Sequence, residues 1–421
     1  MVNVNDFHGL CDNDVIEQAI AQRGADGIVV IPPRVSETAP ERTCWLLDRA
    51  ILLPANTTVV LQNCVLKLSD RCRDNFFRSA NCGLGIEYPA RIQNIHIRGE
   101  GLCILQGADH PRSTGDGGKI LANPCPFEVE DLCRLADLIP EERKQSGKLE
   151  FLERHDHTYG TDFGKIGESQ KGDWRNIGIL LANVEHFSIS GLKMVECHGW
   201  HISLEECAYG RVERIEFDAC MSKVIDGMRM NIENQDGIDV RNGCHHISIF
   251  DISGRTGDDV VALTAIAGNT ARPGGQLGTT HVMHSDWSKR DRNIHDIQIR
   301  NVTAHSFLCY TVRLLPANAK IWNVVVDGII DTSPVVHDHG GSVLLGEPDS
   351  AYGKNYPDGL RFVTVSNVIC GSKRAVRVSG YLWDSVISNV VNRNPGCPAL
   401  IVEKPDGIKN VQTFNLVTVE E

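Results

Sequence analysis

One short pattern runs through most of the chain: apolar, any residue, apolar, any residue, a small or polar residue, apolar. It occurs as Val59-Val-Leu-Gln-Asn-Cys64, Phe187-Ser-Ile-Ser-Gly-Leu192, Ile215-Glu-Phe-Asp-Ala-Cys220 and Ile247-Ser-Ile-Phe-Asp-Ile252. It continues as Ile297-Gln-Ile-Arg-Asn-Val302, Val324-Val-Val-Asp-Gly-Ile329 and Val363-Thr-Val-Ser-Asn-Val368. Alternation over three residues predicts a short strand with one face turned inward. The small or polar residue then permits a bend, and the next apolar residue points inward again. Copies recur at roughly one or two times 22–30 residues, a period that means stacked coils, each too small to bury its own face. The pattern predicts an all-β fold, a single-stranded right-handed parallel β-helix. A propeller would carry a Trp-Asp signature and a leucine-rich solenoid a leucine ladder, and the chain has neither.

Two segments depart from the pattern. Residues 14–22 have helical spacing, with Asp12 or Asn13 as the candidate N-cap. A short helix there would cap the first coil, whose strand edges are otherwise open. Residues 108–173 are polar, with a helical-looking piece at 128–145, and read as one large insertion. The coil pattern lies on both sides of it, so residues 1–421 are expected to form one domain.

The chain has 421 residues, 42% hydrophobic and 23% charged, enough apolar surface for a large core. Its net charge of −12 makes nucleic acid and anionic membrane surfaces poor partners. No stretch approaches the ~18 uninterrupted apolar residues of a spanning helix. The first residues lack a basic start and an apolar run, and the 15 cysteines are scattered, with no Cys-x-x-Cys. Reduced thiols and a cytoplasmic location are the expectation; a secreted chain relieved of its leader is the alternative.

The chemistry concentrates in Asn234-Gln-Asp236-Gly-Ile-Asp239 and Gly257-Asp258-Asp259. Asp236 and Asp258 are 22 residues apart, about one coil. Positions one coil apart stack at roughly 4.8 Å, so three carboxylates are expected to converge on one face. Like charges that close raise the pKa of at least one group and leave a proton donor. Glycoside hydrolysis needs an acid for the leaving oxygen and a base for water. Asp before Gly is also ordinary turn chemistry, and clustered carboxylates can hold Ca²⁺. No cofactor and no metal are expected. His155-Asp-His157 and His337-Asp-His339 have strand spacing for a metal but no evident third ligand, and read as loop histidines. Trp174 and Trp287 are candidates to stack on sugar rings, and Trp200 reads as core.

On these motifs, residues 174 to about 330 resemble the polygalacturonases, glycoside hydrolase family 28 of the pectin lyase-like β-helix superfamily. Asn234-Gln-Asp236 is similar to the family's Asn-Thr-Asp motif with Gln in place of Thr, and Gly257-Asp258-Asp259 to its Asp-Asp motif. Gly199-Trp-His-Ile-Ser-Leu204 resembles the run before the first motif, and Asp6-Phe-His-Gly9 with Ile28-Val-Val-Ile-Pro-Pro33 resembles the opening of pectinase-type β-helices. The resemblance implies inverting hydrolysis, with Asp258 as general acid and Asp236 and Asp259 holding the water. It also implies a histidine one coil later. The family's Gly-His-Gly turn is absent, and His281, then His284, are the positional candidates. The Arg-x-Lys motif that grips a sugar carboxylate is met by Arg313 but has Leu315 in place of the lysine. Tyr352 is the candidate for a later family tyrosine, and Asn234 joins the substrate-binding candidates.

The expectation is thus a glycosidase acting with inversion on an α-linked, pectin-type oligosaccharide, its exo-action enforced by the insertion. A uronate lyase or epimerase, or a β-helix that only binds glycans, are the alternatives on the same fold. The oligosaccharide is the expected partner; the sequence leaves the oligomeric state open.

Overall fold

The computed structural model describes residues 1–421 except 37–39, 71, 73, 84, 85, 87, 110–173, 198, 221, 226, 227, 232–234, 267–290, 335, 337–339, 348, 351, 352 and 421. Two long parallel sheets wind as one right-handed β-helix. One contains the strands Val184–Val195, Ala208–Asp218, His245–Thr256, Ile294–Ser306, Ile321–Asp331, Leu360–Cys370, Leu382–Asn392 and Ile408–Thr418 in spatial order. The other stacks Ile179–Ala182, Ile202–Glu205, Ile238–Arg241, Val261–Ile266, Tyr310–Ala317, Gly341–Leu345, Val376–Val378 and Leu400–Val402.

The repeat works through its fifth position. Gly191, Arg214, Asp251, Asn301, Gly328, Asn367, Asn389 and Asn415 all take a left-handed backbone, with φ from 51 to 71°. The sheet register places them one above another, coil after coil. Asparagine tolerates this conformation better than other side chains, and its amide can bond along the stack. Asn415 Nδ2 donates to Asn389 Oδ1 at 2.8 Å, and Asn389 Nδ2 to Asn367 Oδ1 at 3.1 Å. A second left-handed column, Asn56, Asn94, His186, Tyr209, His246, Asp296, Asn323, Phe362, Asp384 and Asn410, turns the chain at the start of the same sheet.

Five of the seven sequence copies, beginning at 187, 247, 297, 324 and 363, share one register, and their apolar positions lie in the core. The copies at 59 and 215 match the pattern but not the frame. Ile215 pairs with Leu192, so the true copy begins at Gly210; Val59 aligns through Ile97 with Ile189. Gly210 breaks the apolar pattern because the Phe187 ring fills its place: a Cβ there would lie 1.9 Å from that ring. Two further coils begin at Ser385 and Val411, where Ser385 and Thr413 hide the repeat.

The N-terminal helix is Asp12–Ala21, and its Ile16, Ala19 and Ile20 are buried against the first coil. Its N-cap is Cys11, without a side-chain cap bond, rather than Asp12 or Asn13. Those two side chains have another task. Asp12 accepts from Arg34, Arg42 and the Leu46 amide, while Asn13 accepts from the Asp48 amide and donates to the Arg49 carbonyl. The helix is thereby tied to the chain that follows it. The predicted insertion at 108–173 falls almost wholly outside the described residues.

Outward positions of the second sheet are buried as well. Leu180, Ser203, Asp239, Ala262 and Leu344 form one such row, interrupted by Arg313. This covered face carries the chemistry described next.

Gly254 tests how tightly the coils are stacked. It has φ +101°, and a Cβ there would lie 1.9 Å from the Phe217 carbonyl oxygen of the adjacent coil. Gly254→Ala is expected to destabilise by about 1–3 kcal/mol from backbone strain alone, and further through the clash. A lower denaturation midpoint with unchanged far-ultraviolet dichroism at low denaturant checks this; an unchanged midpoint would show that the coils slide apart freely.

Candidate active site

Three bends bring the site together. Ile238 pairs with Val261, which places Asp236 level with Asp259 one coil on. Asp259 in turn is level with Tyr310. Asp258 is therefore set beside Gln235, not Asp236: the Gly257 and Asp258 amides reach the Gln235 carbonyl at 3.0 and 3.5 Å. The coil is 23 residues here rather than 22, and the one-residue slip exchanges the partners expected from the sequence.

The glutamine that stands where the family has threonine clamps the bend. Gln235 Oε1 accepts from the Cys220 amide at 3.1 Å, and its Nε2 donates to the Cys220 carbonyl at 2.8 Å. Asp236 is held through its carbonyl, which accepts from the His201 amide at 2.8 Å and from His201 Nδ1 at 2.7 Å. Burial pushes the His201 pKa down to about 4, so its imidazole is neutral and structural.

Asp259 is 1% exposed, whereas Asp258 is only partly buried. Asp259 Oδ1 accepts from the Tyr310 amide at 2.9 Å, and Oδ2 from Arg313 Nη1 at 3.2 Å. The other arm of Arg313, Nη2, donates to Glu347 Oε1 at 2.9 Å. Burial raises the Asp259 pKa to about 7; Arg313 opposes this, and the nearby Asp258 charge adds to it. A raised carboxylate is what the stacked aspartates predict, but desolvation, not like charge, is its main cause. Asp331, equally buried, is held below its ordinary value: burial would raise it, but Ser333, Ser372 and Ser342 all donate to it. The number of donors separates the two.

Sequence reasoning missed Glu347 and Cys309. Glu347 is distant in the chain and carries no motif. Atoms of Asp258, Asp259 and Cys309 lie within 4.8 Å of one another, a spacing that can hold a metal ion. Burial and the two carboxylates hold the Cys309 thiol above its ordinary pKa, and as a thiol it donates a hydrogen bond to Asp258.

Arg313 lies beside Asp259, with its guanidinium already engaged by Asp259 and Glu347. It is not poised to grip a sugar carboxylate. Leu315, at the family's lysine position, packs with Ile266 and Ala317 in a buried apolar cluster. Trp200 is buried as expected, with the Arg241 guanidinium 4.5 Å over its ring, and Arg78 covers Trp174 at 5.0 Å. Trp174, a stacking candidate, thus already has a cation on its ring. Asn234, His281, His284, Tyr352, Trp287, His155, His157, His337 and His339 lie outside the described residues.

Residues 163–314 match the family model of glycosyl hydrolases family 28, which bears out the resemblance drawn from the aspartate motifs. No curated protein matches the chain by sequence. The family 28 exopolygalacturonase of Yersinia enterocolitica is similar in structure at 14% identity, over 100% of this chain and 78% of that one, with a TM-score of 0.43. The endo-xylogalacturonan hydrolase of Aspergillus tubingensis is similar at 13% identity, over 96% and 89%, with a TM-score of 0.47. A mutant tailspike protein of E. coli bacteriophage HK620, in complex with a pentasaccharide, is similar at 14% identity, over 95% of this chain and 64% of that one, with a TM-score of 0.54. At that identity the tailspike likeness is one of fold.

The raised Asp259 pKa has a signed consequence. The folded carboxyl keeps its proton up to about pH 7, while in the unfolded chain it ionises near 4. Its contribution is fully present below pH ~4 and is lost as pH rises through 7, at up to ~1.4 kcal/mol per pH unit. Asp259→Asn, which cannot ionise, is expected to flatten stability against pH over this window. Chemical denaturation at pH 4–8 measures it, and an identical pH slope in wild type and variant would refute it.

Proposed function

We propose that this chain is a glycoside hydrolase acting on an α-linked, pectin-type oligosaccharide, with inversion and from one end. The observation that carries the reading is the Asp258–Asp259 pair: two carboxyls within 4.8 Å, one buried against Arg313 and one turned partly outward. Burial of Asp259, helped by the Asp258 charge beside it, keeps one proton on the pair below about pH 7. Asp259 hands that proton across the pair to Asp258, the accessible member, which gives it to the leaving glycosidic oxygen as the glycosidic bond breaks. Asp259 is then left ionised beside Arg313, which stabilises it. Asp236, one coil away, completes the set: it holds the attacking water and takes the proton that the water loses on bonding to the anomeric carbon, in line with the role the family resemblance gives it.

Sugar recognition departs from the family's pattern. With Arg313 shared between two carboxylates and Leu315 in an apolar cluster, the family's pair of sugar-facing cations is lost. This supports a substrate whose reacting sugar is held through hydroxyls, in a pectic oligosaccharide that includes neutral residues. Exo-action is supported by the length of the 108–173 insertion in the sequence. The test is a reducing-end assay on pectic and neutral oligosaccharides, with wild type and Asp258→Asn in parallel. Wild type is expected to release a monosaccharide, with product of inverted anomeric configuration by proton NMR. The variant is expected to lose about 10²–10⁴-fold in kcat. Unsaturated, ultraviolet-absorbing product would establish a lyase instead, and full turnover by Asp258→Asn would remove the proposed acid.

A further inference from the structure

The strands His245–Thr256 and Ile294–Ser306 lie side by side, and the candidate active site follows the C-terminal end of the first. At their other end is a cluster that this function does not use. His246 and Asp296 occupy one left-handed column, with φ 54 and 57°, so their side chains leave the same outer edge one coil apart. His295 stands next to Asp296. Its Nδ1 is 2.7 Å from Asp296 Oδ2, and His246 Nδ1 approaches the same oxygen at 3.7 Å. Ligand atoms of all three residues lie within 4.8 Å of one another.

We propose that His246, His295 and Asp296 form a surface binding site for a divalent transition-metal ion of the zinc type. Zinc sits about 2.0–2.2 Å from imidazole nitrogen and carboxylate oxygen, which puts tetrahedral ligand atoms roughly 3.3 Å apart. The separations of 2.7 and 3.7 Å bracket that value and the two imidazoles lie within 4.8 Å, so the site closes by side-chain shifts that also release His246 Nδ1 from its 2.9 Å contact with His245 Nδ1. Two imidazoles and one carboxylate suit zinc, whereas calcium and magnesium prefer oxygen ligands alone. When the ion binds, the His295 Nδ1 lone pair faces the metal and the ring carries its proton on Nε2.

The surroundings fix the ligands in place, as they do in metal sites generally. Asn323 Nδ2 donates to Asp296 Oδ1 at 2.8 Å, which leaves Oδ2 turned to the imidazoles. The His295 ring is stacked between His245, at 5.0 Å and 3°, and Trp322, at 4.5 Å and 10°. Tyr209 lies 5.0 Å from the His246 ring. The His246 side chain is 48% exposed and that of Asp296 33%, so an ion has an open path and water or a partner's ligand can fill the fourth position.

The test is equilibrium dialysis of the tag-free full chain, kept reduced with a thiol-free phosphine, against zinc ions alone, with bound zinc counted per chain. Two variants keep the fold. His246→Asn places in the column the residue that Asn94 and Asn323 already provide there, and His295→Phe preserves the stack. Wild type is expected to bind one zinc ion more than either variant, and zinc is expected to raise its melting temperature by an amount both variants lose. Asp296→Asn should weaken binding at least tenfold. Glycosidase activity, read in the same samples, should not change with any of the three. Equal zinc content and equal melting shifts in wild type and variants would overturn the proposal, and would leave the assignment of Asp258 untouched.

Discussion

The vertical register of the coils governs this molecule. Parallel strands leave no hairpin to fix their pairing, so something else must keep each coil from sliding on the one below. Here the fastening is the left-handed corner. Where Asn367, Asn389 and Asn415 stack, each amide reaches the next oxygen, and the backbone turns at the same point in every coil. A slip by one residue would drive apolar side chains such as Ile249, Ile299 and Val326 out of the core and break the corner at once. The core enforces the register from inside and the asparagine column from the edge.

That register also makes the chemistry. Asp259 comes level with Asp236 below and Tyr310 above because the coils between them have fixed lengths. Arg313 enters from a strand 51 positions further on, where Ala262 pairs with it and leaves room beneath. Glu347 then supplies the second carboxylate for the same guanidinium. Buried charge is tolerable only when it is paired, and this cation bridges two acids. The pairing holds Arg313 away from the role its motif would give it, and burial keeps a proton on Asp259 against the pull of that cation.

The outer surface follows the same logic with different side chains. Most coils place Asn, Asp or a histidine at the early left-handed corner, since these tolerate the conformation. Where His246 and Asp296 fall in successive coils and His295 precedes the second, structural corner residues become a cluster of metal-ligand chemistry. Local backbone demand selects the residue types, and stacking brings them within reach of one ion.

The sequence by itself determined the architecture. A six-residue pattern with β-branched residues at inward positions and Asn, Asp or Gly at the corner admits little but stacked parallel coils, and the aspartate motifs pointed to the candidate site. It could not supply the frame of every coil. Ile215 fits the pattern yet is five residues late, and Ser385 belongs to a coil although it breaks the pattern. The rest was decided by tertiary structure because it depends on coil length and burial. A coil of 23 residues rather than 22 set Asp259, not Asp258, level with Asp236. Desolvation, which no motif encodes, raised Asp259, and Glu347 met Arg313 only through stacking that sequence distance conceals. Periodicity is a local property and is written in the chain; electrostatic environment is a property of neighbours, and those are chosen by the register.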